Sequence, residues 1–319
     1  MIRKGLKHFP LSSNRDKRNG IINQIPLIME VIKMKVIFRG DDVAYTDVHN
    51  IGTWRAIDEG VMSHADLMLD GFGIEDAYDF LNKRPWVSVG WHTHFWCKPI
   101  LPPEEVPSLV DETGRFKFRR INCMEHEVED VNYDEMVKEC FAEVDYCKKR
   151  LGRYPDTCND VQTDNVKGRA VKEVCDTLGI PYGFEGGPGP HDSYKEPLDQ
   201  YKELHITEYF TSGKHPATPK LRVALFDNYD PAAAIIDMPI DENIIYERSL
   251  HPGYLDGLVL EEQHCTIHRV KDVSAYCDKR VFDWVKDNKI KIINRKDALY
   301  GTDEYQQHLK EIGSPLYIG

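Results

Sequence analysis

The stretch Lys35-Val-Ile-Phe-Arg-Gly-Asp-Asp-Val-Ala-Tyr-Thr46 decides how the rest of the chain is read. An apolar run of β type, Val36, Ile37 and Phe38, ends at Gly40 and delivers two consecutive carboxylates, Asp41 and Asp42. Adjacent strand residues point to opposite faces. Beside a glycine at a strand end, however, the chain turns, so both carboxylates can reach one mouth. In parallel α/β folds that mouth, at the C-terminal strand ends, is where chemistry sits. The same residues also fit a plain turn and helix cap, with Asp42 or Thr46 capping a helix over 47–59.

Working outward, the apolar spacing predicts that helix over 47–59, closed by Gly60. A strand over 65–69, a helix over 73–82 and a strand over 86–90 follow, leading into Trp91-His-Thr-His-Phe-Trp96. Strands that alternate with helices predict an α/β domain, a (β/α) barrel-like fold with mostly parallel strands. The segment 97–127 is rich in proline and charge and long for a connection, so it reads as a functional loop or lid over the strand ends. An amphipathic helix is expected over 133–151, stopped by Gly152. Next come a strand over 157–164, a helix over 166–178 and a short strand over 181–184. The region 185–219 yields no assignment. Later segments read as a strand over 221–226, a helix start over 230–236 and a strand over 244–250 that ends in His251-Pro-Gly-Tyr-Leu-Asp256. A helix over 271–288, a strand over 289–293 and a helix over 303–312 close the chain. Residues 1–33, basic early and loosely patterned, read as an N-terminal extension before a domain spanning 34–319. A docked helix over 22–33 stays open.

With 319 residues, 41% of them apolar, a sizeable core is expected. A net charge of −12 argues against a nucleic-acid or anionic-membrane partner. No apolar run approaches bilayer length, and no secretory leader is evident, which points to a cytoplasmic protein. The eight cysteines form no C-x-x-C pair and read as reduced thiols. A homo-oligomer stays open.

His92 and His94 lie two apart at a strand end, where both can project to one face. Such a pair suits a transition metal, although packing among Trp91, Phe95 and Trp96 would also explain it. Asp41 and Asp42, arriving on an earlier strand, favour the metal. Tyr45, Trp91, Phe95, Trp96 and Tyr254 suit stacking on sugar rings and equally suit a core. His-Pro-Gly at 251–253 fits a turn, while Glu247 on the same register draws His251 towards the site.

Four segments together resemble the YdjC-like carbohydrate deacetylases, the chitooligosaccharide deacetylase family. The opening Phe38-Arg-Gly-Asp-Asp-Val-Ala-Tyr-Thr, with Asn50-Ile-Gly and Ala56-Ile-Asp-Glu-Gly-Val-Met-Ser63, is similar to the family's start. Val89-Gly-Trp-His92 resembles its Val-Gly-Leu-His motif. Leu109-Val-Asp-Glu-Thr-Gly-Arg-Phe116 resembles a later loop, and Tyr246-Glu-Arg-Ser-Leu-His-Pro-Gly253 a late E-x-x-x-HPG motif. The tail over 269–299 resembles the family's closing helix and strand.

The resemblance implies a divalent metal ion (Mg, Zn or Mn) and hydrolysis of the N-acetyl group of a mono- or oligosaccharide. Asp41 would be the general base or its partner, Asp42 and His92 would sit at the metal, and His251 would act near the leaving amine. Trp91, Trp96, Glu247 and Tyr254 would meet the substrate. Such an ion lowers the pKa of a water from about 15.7 towards 7 and polarises the acetyl carbonyl. In one place the chain departs from the pattern. Where the family carries histidines after a middle strand, this sequence has Thr157-Cys-Asn-Asp-Val-Gln-Thr-Asp164. Asp160, Gln162 and Asp164 would share a strand face. Three outcomes are open: Asp164 or Gln162 completes an oxygen-rich site suited to Mg or Mn, His94 supplies the imidazole, or the site has lost its metal and the chain binds carbohydrate without catalysis. A metal-dependent hydrolase of another amide or ester is the remaining alternative.

Overall fold

The stretch quoted above forms strand β1, Met34–Val43, the axis of a seven-stranded sheet. The computed structural model describes residues 32, 34–120, 128, 130–159, 161–188, 194–209 and 228–318. After β1 come helix α1 (Asp47–Asp58), β2 (His64–Leu67), α2 (Ile74–Leu81) and β3 (Ser88–His92). A long strap leads to α3 (Tyr133–Leu151), β4 (Thr157–Asn159) and α4 (Val166–Leu178). A two-stranded hairpin, β5 (Gly187–Pro188) and β6 (Tyr194–Lys195), precedes β7 (Ile206–Glu208) and α5 (Pro231–Ile236). The chain then runs through β8 (Ile245–Leu250), α6 (Gly257–Glu262), α7 (Ile267–Tyr276), α8 (Lys279–Asp287), β9 (Ile290–Ile292), α9 (Arg295–Tyr300) and α10 (Glu304–Glu311).

Every pairing in the main sheet is parallel, in the order β4-β3-β2-β1-β8-β7. β8 follows one edge of β1 from Lys35 to Gly40. The other edge is shared, by β9 at Met34–Val36 and by β2 from Arg39 onward. The result is a parallel sheet curled into a half-barrel with helices around it, as the alternation of strands and helices predicts.

Local chemistry sets the helix ends. Thr46 accepts from the His49 amide to start α1, and Asn132 and Asn165 do the same for α3 and α4. Gly152, at φ 73°, ends α3 in the left-handed conformation that glycine adopts without steric cost.

The two faces of β1 differ in chemistry. Val36 and Phe38 join the apolar core between sheet and helices, where Phe38 meets the edge of Tyr276 on α7 at 5.6 Å. Arg39 lies on the opposite, concave face, and that face is charged. The Arg39 guanidinium pairs with Asp41, Glu208 and Glu247, and it lies 3.3 Å from Asp66 and 3.5 Å from Glu185. Arg295, fully buried, bonds Glu247 at 2.6 Å, Glu185 at 2.6 Å, Asn159 at 2.6 Å and Thr157 at 2.9 Å. Gly90 leaves room for Asp66: a Cβ there would collide with its Oδ1.

Several expected elements take a different form. The strand expected over 157–164 ends at Asn159, and the chain bends through 163–165 into α4. No strand forms over 181–184, where Gly183 turns at φ 64°. The single helix expected over 271–288 is two, because Asp278 caps a new helix on the Arg280 amide. The unassigned region contains the β5–β6 hairpin and β7. The extension 1–33 (Ile32 excepted), the strand over 221–226, the last part of the lid and Asp160 lie outside the described residues. Among the described residues seven cysteines are free thiols, five of them buried, and no helix is long and apolar enough to cross a membrane.

Candidate metal centre

Beyond Gly40 the register of β1 against β2 shifts, and Asp42 and Ala44 adopt φ 56° and 76°. Both are left-handed conformations that non-glycine residues rarely take, of the kind that clusters at functional sites. This irregularity, rather than a turn at Gly40, lets consecutive aspartates serve one mouth. Asn50 of α1 holds it in place, accepting from the Ala44 amide at 2.9 Å and donating to the Gly73 carbonyl at 2.8 Å.

Asp42 Oδ1 lies 3.1 Å from His92 Nε2 and 3.2 Å from His94 Nε2. Its other oxygen accepts from Arg269 Nη2 of α7 at 2.6 Å. The two imidazole rings meet edge to face at 4.1 Å, and the His94 amide donates to the His92 carbonyl at 3.1 Å. A tight turn past the end of β3 therefore folds the second imidazole back beside the first. Among the described residues, Asp42, His92 and His94 form the group able to hold a metal, with ligand atoms all within 4.8 Å of one another. Burial opposes ionisation of Asp42, but Arg269 and the two histidines outweigh it and hold the carboxyl well below the usual range. Two ring nitrogens and one carboxylate oxygen suit a borderline divalent ion such as Zn²⁺ better than Mg²⁺, which prefers oxygen throughout.

Asp41 is held differently. Arg39 Nε reaches its Oδ1 at 2.7 Å and Nη2 its Oδ2 at 3.2 Å, while Ser249 of β8 donates to Oδ2. Against the penalty of burial, Arg39 chiefly, with His92, His251 and the Ser249 bond, lowers its pKa to about 2. His251 lies within electrostatic reach of Asp41 and Asp42, and burial, aided by Arg269, lowers its pKa despite them. The His-Pro-Gly turn that carries it is clamped. The His251 amide donates to Asp272 at 2.9 Å, and Thr53 of α1 donates to the Pro252 carbonyl at 2.6 Å. A Cβ on Gly253 would overlap the His49 imidazole, so the turn sits on α1 only because this residue is glycine.

The structure thus brings together Asp41, Asp42, His92, His94 and His251. Other expected site residues fall elsewhere. Asp164, expected on a strand face, is exposed beyond the end of β4 and accepts from Asn165 Nδ2 at 3.2 Å; Gln162 is exposed too. Asp164 does not belong to the metal group. Trp91 is fully buried and donates to Glu143 at 2.9 Å, so it is core rather than a sugar platform. Glu247 is fully buried between Arg39 and Arg295, with no exposure to offer a sugar. Trp96 is buried as well, lying flat on His94 at 3.7 Å. Tyr254 keeps a half-buried ring, its hydroxyl 3.2 Å from Arg55 Nη1. The sequence reading missed Arg39, Ser249, Arg269 and Asp272. Arg39, two residues before Asp41 on the same strand face, and Ser249, two before His251, carried a signal that could have been read.

The sequence profile of the family described as YdjC-like protein matches residues 35–287. A carbohydrate deacetylase of Enterococcus faecalis is 26% identical over 272 residues, covering 82% of this chain and 96% of the relative. Carbohydrate deacetylase 2 of Listeria innocua is 23% identical, covering 83% and 98%. A crystal structure from Enterococcus faecalis, provisionally named a cellobiose-phosphate cleavage protein, superposes with a TM-score of 0.58 at 22% identity. It covers 83% of this chain and 98% of its own, and it corroborates the fold.

Proposed function

We propose that this chain, which belongs to the YdjC-like family, is a metal-dependent hydrolase that removes the acetyl group from an N-acetylated sugar. The observation that carries the reading is the convergence of Asp42, His92 and His94 beside Asp41 and His251. The carbohydrate deacetylases among its relatives support the substrate class.

Asp42, His92 and His94 would hold the ion. A divalent ion supplies Lewis acidity, polarising an acetamide carbonyl and lowering the pKa of a water towards 7. The remaining work falls to the chain's own residues. Asp41, ion-paired with Arg39, hydrogen-bonded through Oδ2 and with its pKa near 2, makes a poor proton acceptor. It is the partner that keeps negative charge beside His251. His251, whose lowered pKa keeps it neutral at pH 7, takes the proton of the attacking water and returns it to the departing nitrogen. Of the four residues expected to meet the sugar, Tyr254 retains the exposure needed to stack on a ring. With His94 able to complete a three-donor set, a carbohydrate binder that has lost its metal is the weaker reading.

The test is acetate release from N-acetylglucosamine oligomers, run beside aryl esters and phosphate esters. Activity on the amide is expected to vanish with a chelator and return with Zn²⁺. It is also expected to fall by two or more orders of magnitude in Asp42→Asn. Hydrolysis confined to esters or phosphates, or full activity in Asp42→Asn, would refute the assignment.

A further inference from the structure

The third donor, His94, reaches Asp42 only because of what surrounds it. Phe95, the next residue, has φ 58°, a strained conformation for a bulky side chain. It turns the chain so that the side chains at 94 and 96 fold onto one another. The His94 and Trp96 rings lie 3.7 Å apart and within 3° of parallel. The strained turn is gripped by the strap. Phe116 meets the edge of Phe95 at 5.5 Å, and Phe118 lies 6.4 Å from it. Arg115 donates to the Trp96 carbonyl at 3.0 Å while pairing with Glu262 of α6 at 2.6 Å. Tyr45 closes on the edge of Trp96 at 6.2 Å and bonds the same Glu262 at 2.8 Å. The Arg120 guanidinium lies 4.6 Å from the centre of the Trp96 indole. The Cys97 amide is pinned on Asp70 at 2.7 Å. These contacts hold the plane on which His94 lies.

We propose that Trp96, fixed by the strap over 97–120, is the positioning residue that makes His94 the third metal donor, in place of a donor from the loop after β4. The assignment rests on the metal-site reading above and adds to it a coupling between strap and ion. Residues that orient a ligand typically account for 10–100-fold in metal affinity, and Trp96 orients the more exposed of the two histidines.

Affinity for Zn²⁺, by competition with a chromophoric chelator, and the visible spectrum of the Co²⁺-loaded protein test this in wild type, His92→Ala, His94→Gln, Trp96→Leu and Trp96→Phe. Trp96→Leu is expected to weaken binding about 10–100-fold and to alter the Co²⁺ spectrum as His94→Gln does. Trp96→Phe, which keeps a plane, is expected to bind nearly as wild type. Wild-type affinity and spectrum in Trp96→Leu would overturn the proposal while leaving the metal site intact. Failure of wild type to bind an ion, or binding unaffected in His92→Ala, would instead sink the metal reading beneath it. Because Trp96 is buried, the metal-free melting of each variant is recorded alongside. Hydrogen exchange on the unmodified chain needs no core substitution. Saturating Zn²⁺ is expected to slow amide exchange across the strap in wild type but not in His94→Gln, and equal exchange with and without the ion overturns the coupling.

Discussion

Arg269 divides the duties of Asp42. One carboxylate oxygen accepts from the guanidinium at 2.6 Å, and the other faces the two histidines. Both partners are buried, and removing one member of such a pair leaves an uncompensated charge at a cost of about 3–5 kcal/mol. Arg269→Met is therefore expected to lower the urea midpoint strongly in chelator. A divalent ion can neutralise the orphaned Asp42, so added Zn²⁺ should raise the midpoint more in the variant than in wild type. Equal shifts in the two proteins would mean that Arg269 and the ion do not share Asp42. Residues of this kind separate the legible part of the site from the rest. Asp41, Asp42, His92 and His94 could be read because two short motifs end β1 and β3, with β2 alone between them in the sheet, and strands close in sequence usually lie close in a sheet. Arg269 could not, since an arginine on a helix reads as a solvated residue until the fold turns that helix onto the mouth. Glu247 misled for a related reason. It shares strand parity with His251, but its carboxylate is taken up by Arg39 and Arg295 and fully buried.

At the scale of elements, the strap and α3 act as a unit. Glu139 of α3, fully buried, accepts from the Ile100 and Leu101 amides at 2.6 and 3.1 Å. Glu135 accepts from Ser108 at 2.8 Å. Helical spacing marked α3 as amphipathic, but a glutamate on its inner face serving loop amides has no periodic signature. Burial, with the like charge of Asp70 nearby, outweighs those two amides and raises the Glu139 pKa from 4.5 to about 7. Such a carboxyl binds more protons folded than unfolded between about 4.5 and 7, so the stability it contributes is lost as the pH climbs through that window. Glu139→Gln cannot titrate. Wild type is accordingly expected to lose ground to the variant between pH 4.5 and 7, measured as the difference in urea midpoints across that range. A difference that stays constant would show that Glu139 is already ionised throughout it.

Over the whole molecule, the unusual feature is a charged concave face where barrels of this type bury layers of branched apolar side chains. Alternating charged residues along a strand ordinarily signal a face in water, so the sequence pattern was consistent with the parallel sheet but silent on where the charges lead. They lead inward, to Arg39 and Arg295. Asp66 and Glu247 pay for burial through these two cations and end near pKa 2, and so stay ionised at any pH the protein meets in ordinary buffers. The same contacts join β1, β2, β4, β7 and β8 through side chains, which ties the floor of the site to the strands that carry Asp41 and Asp42. Arg295→Met would strip a cation from Glu247, Glu185 and Asp66 at once, a loss of at least about 3–5 kcal/mol at neutral pH. Without that cation burial dominates, and the affected carboxyls move up to where they can take protons. The folded variant then binds more protons than its unfolded chain, so its deficit against wild type should shrink from pH 8 to pH 5. Adding Glu247→Gln removes one unpaired charge and should recover part of the lost urea midpoint at pH 8. A deficit that is the same at both pH values, with no recovery in the double variant, would mean that the interior is held by shape alone, its charges contributing nothing to the coupling between strands.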